Sequence, residues 1–444
     1  MFSWPGIFAL FLSAVGCGAV VLARVRDGEF LTPESAFVSA WSLTFALYLL
    51  RMLPYGPMSA GAAGVLALGA GLVVVGIHIG RRLARRIPAP TRHVTLPEAW
   101  LWGYGATGLV GLAWYLWQVH QLTGIPALWQ HGFQVRLALN HHRIPSTFLF
   151  VEFFCVITPL VAAATALTGR KIGVAAWVLA AACVAGTWAM TDRTQFFTTL
   201  LGLAFMYAYR RGEALGWGRL SMFVASAGAL LLASFLIVGA FTGKSPAAMK
   251  LTLRPPLASS TSGDVEPGVL AGALRQGSTV YLYATASYAA FAVWYPEQQP
   301  LTYGLHTAYP FFRALQKAGL YSGRLPEHIL PFVPILTEPI PLGWNGYTML
   351  YYPLVDFGLP GMIVYCLLVG AFCGAAYQAV RAARTSPGHL LLAAQVTTGL
   401  VLSIFVNKFN NTAWWYLLLC SIAPFAITSV LARRRSAGRT TPQA

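Results

Sequence analysis

Charge is scarce in this chain, and negative charge scarcest of all. Its 444 residues hold 13 Asp and Glu, and charged residues make up 10% of the total, against roughly 25% in an ordinary soluble domain. That shortfall excludes a water-soluble enzyme. Cysteine is sparse as well: Cys17, Cys155, Cys183, Cys366, Cys373 and Cys420 all lie inside apolar runs, and none has a zinc-like spacing with histidine. A disulfide framework and a structural metal are therefore not expected. Several catalytic signatures are missing too: no DxD metal triplet, no GxSxG elbow, no HExxH and no phosphate-cradling GxxxxGK[ST]. There is no internal repeat, and the one low-complexity segment, around 259–263, reads as loop.

What the chain does have is apolar sequence. Hydrophobic residues make up 57%, with 43 Gly and 27 Pro, two residues commoner in membrane helices than in soluble ones. A hydrocarbon core of about 30 Å takes roughly 20 apolar residues as helix. Eleven runs approach that length: 5–23, 35–55, 59–80, 99–121, 147–168, 172–190, 195–209, 220–242, 358–380, 389–407 and 413–432. The seventh is short enough for a half-membrane or strongly tilted piece. The expected fold is an all-α polytopic integral membrane protein, one polytopic domain over 1–444. The Gly69 and Gly71 pair in the third run reads as small-residue helix packing, not a dinucleotide turn.

The formal charge of +17 suggests nucleic acid only until the cations are located. They sit in short breaks between apolar runs. Arg24, Arg26, Arg81, Arg82, Arg85, Arg86, Arg92, Arg170, Lys171, Arg210, Arg211, Arg219, Arg381, Arg384, Arg433, Arg434, Arg435 and Arg439 fall on one side. Most of the others fall in one long loop on the opposite side. Because cytoplasmic loops hold the excess of Lys and Arg, the N-terminus is expected to face out and the C-terminal tail to face the cytoplasm. No Lys or Arg precedes the first run, so it reads as a retained span and not a cleaved leader. The apolar stretch 278–294 reads as a re-entrant or interfacial helix with Tyr281, Tyr283, Tyr288, Phe291 and Trp294 at headgroup depth. A crossing there would turn the arginine tail outward.

The longest cytoplasmic loop, 81–97, is too small for a nucleotide-binding domain. Chemistry is therefore expected in the spans or in the outer loops 243–352, 122–146 and 191–194. In 123–140, Ile125, Leu128, Trp129, Phe133 and Leu137 recur at helical spacing. Two readings stand: a helix lying on the membrane, or a lid using Arg136 and Arg143. Residues 310–319 read as a short helix with Pro310 in the first turn and Gly319 at its end. On it Arg313 and Lys317 share one face, either solvated or capturing phosphate, while Phe311 and Leu315 share another. His306, just before it, is a candidate general base. Downstream, Pro326, Pro331, Pro334, Pro339 and Pro341 predict irregular chain. Glu152, about two turns inside a span, demands a cationic partner, and Arg193 matches it in depth as a structural ion pair or a catalytic group. Asp356, at the start of the ninth span, is either an exposed interfacial carboxylate or a functional one.

The segment Trp344, Asn345, Gly346, Tyr347, Thr348, then Tyr351, Tyr352, Pro353, then Asp356, Phe357, Gly358, Leu359, Pro360, Gly361, resembles the bacterial O-antigen polymerase (Wzy-type, oligosaccharide repeat unit polymerase) family. Asp192, Arg193 and Thr194 leading into Phe196 and Leu200 look like that family's Arg-bearing outer turn. The layout of about eleven spans with one large late outer loop is similar too. The resemblance implies polymerisation of undecaprenyl-diphosphate-linked oligosaccharide units at the periplasmic face of the bacterial inner membrane, making O-antigen, capsule or exopolysaccharide. The implied partners are the lipid-linked glycan donor and acceptor, the lipid bilayer, a chain-length regulator and a flippase; no cofactor, metal or nucleic acid is implied. The residues agree: without a cytosolic nucleotide-sugar domain the donor is lipid-borne, and without DxD the leaving group is neutralised by protein cations. Arg193, helped by Arg136 and Arg313, would grip the diphosphate. Asp356 or His306 would orient or deprotonate the acceptor hydroxyl. Arg143, Lys317, Asn345 and Tyr347 complete the expected substrate-binding set. The rivals are an O-antigen ligase, which takes the same donor, and a polysaccharide flippase, which is opposed by the near absence of mid-membrane charge.

Overall fold

The computed structural model describes residues 4–86, 96–126, 151–189, 193–222, 225–226, 228–229, 269–295, 301–323, 333–336, 342–344 and 346–437. Nearly all of these are helix. The named helices are α1 (Trp4–Asp27), α2 (Pro33–Leu49), α3 (Ala60–Ala84), α4 (Ala99–Thr123), α5 (Phe154–Leu167), α6 (Val174–Ala189), α7 (Arg193–Arg211), α8 (Val269–Trp294), α9 (Tyr309–Lys317), α10 (Tyr351–Ala382), α11 (Pro387–Leu402) and α12 (Thr412–Ala437). Ten of the eleven apolar runs coincide with helices, and the eighth, 220–242, falls mostly outside the described residues. Within these, Gly6–Asp27, Ala60–Ala84, Tyr351–Ala382 and Thr412–Leu431 are long and apolar enough to cross a membrane. The apolar helices mark a membrane-associated, all-α protein.

The chain divides into two compact units, the first 1–81, 244–374 and 399–412, the second 82–243, 375–398 and 413–444. In the first unit α2 starts on a capping box. The Thr32 side chain accepts from the Ser35 N–H at 3.2 Å and the Ser35 hydroxyl accepts from the Thr32 N–H at 2.9 Å, with Pro33 in the first turn. The α1–α2 turn and the end of α3 meet in a buried ion network. Arg81, 4% exposed, reaches Asp27 Oδ1 at 2.6 Å and Glu34 Oε1 at 2.6 Å, and Arg26 reaches Asp27 at 2.7 Å.

Helix α3 crosses α10 at four glycines. A Cβ on Gly80 would lie 1.9 Å from the Ala371 carbonyl oxygen, one on Gly76 2.4 Å from that of Leu367, one on Gly370 2.2 Å from that of Val73, and one on Gly374 2.0 Å from that of Ile77. Two backbones approach this closely only where small residues recur every four positions on both helices. Gly69 also packs, against Leu350, whereas Gly71 faces open space.

Helix α8 lies against the C-terminal end of α2. The Tyr281 hydroxyl donates to the Leu47 carbonyl at 2.7 Å, the Tyr288 hydroxyl to the Trp41 carbonyl at 3.1 Å, and the Tyr55 and Thr285 hydroxyls are 2.8 Å apart. Tyr281, Tyr288, Phe291 and Trp294 are buried in protein contacts, and Tyr283 is half-buried, so these aromatics serve as packing surface. The proline-rich stretch also differs from its expectation. Val333–Leu336 and Leu342–Trp344 pair as an antiparallel two-stranded sheet, irregular between Pro334 and Leu336, with a bridge from Leu336 to Tyr55. Proline excludes helix but tolerates an edge strand.

In the second unit, α4 meets α5 at glycines. A Cβ on Gly108 would lie 2.6 Å from the Cys155 nitrogen, and one on Gly111 2.5 Å from that of Glu152. Helices α5 and α7 run parallel, Gly202 against Leu160 and the Arg210 Nε donating to the Leu167 carbonyl at 2.7 Å. Tyr209 and Thr397 hydroxyls lie 2.7 Å apart, and Gln395 donates to Ser421 at 2.6 Å.

Candidate functional site

The most developed site is in the first unit, where the chain breaks its own helix. Gly358 takes φ 64°, ψ −159°, inside α10 and two residues before Pro360, so 351–357 forms a short lead helix with Asp356 on its inner side. Asp356 is 0% exposed. This overturns the exposed interfacial reading of that carboxylate. Its Oδ1 accepts from the Thr302 hydroxyl and, at 3.1 Å, from the His306 N–H, while Oδ2 accepts from the Thr307 N–H. The backbone adds two bonds, Thr302 N–H to the Val355 carbonyl at 3.2 Å and Tyr303 N–H to that of Asp356 at 3.0 Å. Gly304, at φ 94°, leaves room for the Phe357 ring, whose edge would stand 2.8 Å from an added Cβ. One carboxylate thus anchors the whole 302–307 loop, which leads into α9.

His306 is half-buried on that loop, its ring centroid 6.2 Å from that of Tyr352. Burial holds its pKa below the ordinary imidazole value of 6.5, and the neighbouring Asp356 opposes that shift in part. A neutral imidazole is the form that accepts a proton. Asp356, with both oxygens engaged, is chemically an anchor. The expected helix at 310–319 is present as α9, with Pro310 in its first turn and Gly319 following at φ 74°. The Arg313 guanidinium lies 5.9 Å from the Tyr309 ring centroid, and Lys317 ends the helix. Tyr347 is buried and stacked on Tyr351 at 4.1 Å, so that ring face is occupied by protein.

The structure brings Asp356 and His306 together directly, and Arg313, Lys317 and Tyr347 belong to the same unit. Glu152 and Arg193 belong to the second unit. The α5–α7 contacts set an offset of 42–43 residues, which puts Glu152 level with Thr194 and Gln195, hence at the same end of the helices as Arg193. Glu152 is buried at 8% exposure, and Gln195 at 7%. Arg136, Arg143 and Asn345 lie outside the described residues. An open groove of about 540 Å³ in the second unit, lined by Trp100, Tyr104, Thr107 and Phe154 among others, includes none of the expected site residues.

Sequence reasoning missed the anchoring partners Thr302 and Thr307, whose link to Asp356 bridges about 50 residues of chain. It also missed the Asp27, Glu34 and Arg81 network. A signal for that network existed: in a chain with 13 acids, Asp27, Glu29 and Glu34 fall within eight residues around the junction of two apolar runs. No known protein family, curated protein or solved structure matches this chain.

Proposed function

We propose that this protein polymerises undecaprenyl-diphosphate-linked oligosaccharide repeat units at the periplasmic face of the bacterial inner membrane, by metal-independent inverting glycosyl transfer. The reading takes eleven spans from the apolar runs, and an outer N-terminus and a cytoplasmic tail from the charge pattern. The observation that carries it is the pinned 302–317 element, where a proton-accepting imidazole and a cationic helix share one rigid piece of chain anchored by Asp356.

In this mechanism the acceptor sugar hydroxyl attacks the anomeric carbon of the donor glycan. The new glycosidic C–O bond forms as the bond from that carbon to the diphosphate oxygen breaks with inversion, and the hydroxyl proton passes to the His306 imidazole. The lipid diphosphate departs with the electron pair on its oxygen, and the Arg313 guanidinium, on the same element as His306, neutralises it. Two unit charges about 4 Å apart at an effective dielectric near 20 interact by roughly 4 kcal/mol, so a single arginine supplies a useful part of the barrier reduction. Arginine matches phosphate oxygens bidentately and stays charged.

The test is reconstitution of the purified protein with a synthetic undecaprenyl-diphosphate-linked repeat unit. A ladder of lengthened glycans is expected from the wild type and not from His306→Ala or Arg313→Ala. A wild-type reaction that leaves only single units refutes the reading.

A further inference from the structure

Helix α9 leaves its apolar side uncovered, unlike a helix packed on a protein core. At 100° per residue, Phe311, Ala314, Leu315 and Ala318 fall on one face, with the positions of Arg313, Gln316 and Lys317 opposite. The apolar face is open, like Gln316 on the polar one: Phe311 is 63% exposed, and Ala314 and Ala318 are exposed as well. Phe312 turns the other way, onto Tyr321 at 5.2 Å. On either side of the helix, Tyr303 is 77% and Leu320 76% exposed. Tyr303 is held at φ 50°, a backbone region a bulky side chain rarely enters unless its surroundings impose it.

This open apolar surface is continuous with that of α10, a helix long and apolar enough to span a bilayer. Phe357, Leu359, Val364 and Leu368 are each 45–65% exposed along it. Leu301 touches the Gly358 position at 3.9 Å and the Phe357 ring fills the space over Gly304, so the loop starts where the exposed stripe of α10 starts. A helix with one apolar and one cationic face, joined to the end of a membrane span, has the composition of an element lying in the lipid interface.

We propose that residues 301–320 form a membrane-docking element. The Phe311 face of α9, with Tyr303 and Leu320, sits at the boundary between headgroups and acyl chains, and the Arg313 side meets the phosphates. The occupant of the exposed face is phospholipid. Docking holds whether or not the neighbouring site transfers glycans, and its consequence is that His306 opens at headgroup level, where a lipid-borne molecule arrives by lateral diffusion.

The test places a nitroxide spin label at Phe311→Cys or Gln316→Cys in the full-length protein, its six native cysteines replaced by alanine, in liposomes of phosphatidylethanolamine and phosphatidylglycerol. Power saturation then compares collisions with oxygen, which concentrates in lipid, and with a water-soluble nickel chelate. The expected result is an oxygen-to-nickel ratio several-fold higher at 311 than at 316. Equal, nickel-dominated accessibility at both positions overturns docking, as does shielding of the 311 label from both colliders, which would mean a protein covers the face. A label at Leu320→Cys gives the same reading if the one at 311 disturbs the helix.

Discussion

At the scale of single residues, two titratable groups have roles fixed by their surroundings. Arg81 is enclosed with Asp27 and Glu34 at 2.6 Å each, whereas Arg26 sits at the rim of the same network with a side chain 41% exposed. Removing a buried partner strands the opposite charges, a loss of about 3–5 kcal/mol, while an exposed pair contributes about 1 kcal/mol or less. Arg81→Met is therefore expected to lower the thermal midpoint of the purified protein much further than Arg26→Met, and equal midpoints for the two variants would reject the network as a stabilising feature. His306 makes the opposite kind of contribution. Its folded pKa lies below 6.5, so the unfolded chain binds more protons in the interval between the folded value and 6.5. Stability from this group is complete above about pH 6.5 and declines as pH falls toward the lowered folded value. His306→Gln removes that slope, which denaturation midpoints between pH 5 and 7.5 report directly.

Sequence made both residues visible in part. Asp356 and His306 stand out as a carboxylate and an imidazole beside a predicted helix. Their relation does not, because it runs through backbone N–H groups and one threonine hydroxyl about 50 residues upstream, which no residue-type pattern encodes.

At the scale of elements, the crossing of α3 and α10 is the sharpest geometric constraint. The four glycines occupy G-x-x-x-G steps, Gly76 to Gly80 and Gly370 to Gly374, and each step is readable alone; that the two steps face one another is not. Gly80→Ala is expected to abolish a monodisperse protein on size exclusion, since the new methyl would overlap a carbonyl at 1.9 Å. Gly71→Ala, with nothing within 4 Å, is expected to cost nothing and to gain at most the ~0.5–1 kcal/mol that such a change gives in an open helix. If both variants behave alike, close packing does not hold this crossing. The short helix α9 was legible because Pro310 and Gly319 bracket it and its apolar and cationic positions separate by angle. The Val333–Leu336 strand was not, since three or four residues broken by Pro334 carry too little alternation to signal a sheet.

At the scale of the whole molecule, hydropathy specified most of the architecture. An apolar run near 20 residues has one economical conformation in lipid, because every backbone N–H and C=O must find a partner within the segment, and ten runs duly became helices. What hydropathy left out is the grouping. The first unit gathers 1–81 with 244–374 and 399–412, while 82–243, 375–398 and 413–444 build the second.

That interleaving has a consequence for how the protein is made. When the ribosome has delivered α3, the partner of its glycine face is still about 290 residues away, since Gly80 waits for Ala371. At roughly 5–20 residues per second the wait lasts about 15–60 s. Through that interval the N-terminal helices must be shielded by lipid or by an insertion chaperone, and a chain released early would leave a bare glycine groove open to whatever helix drifts past.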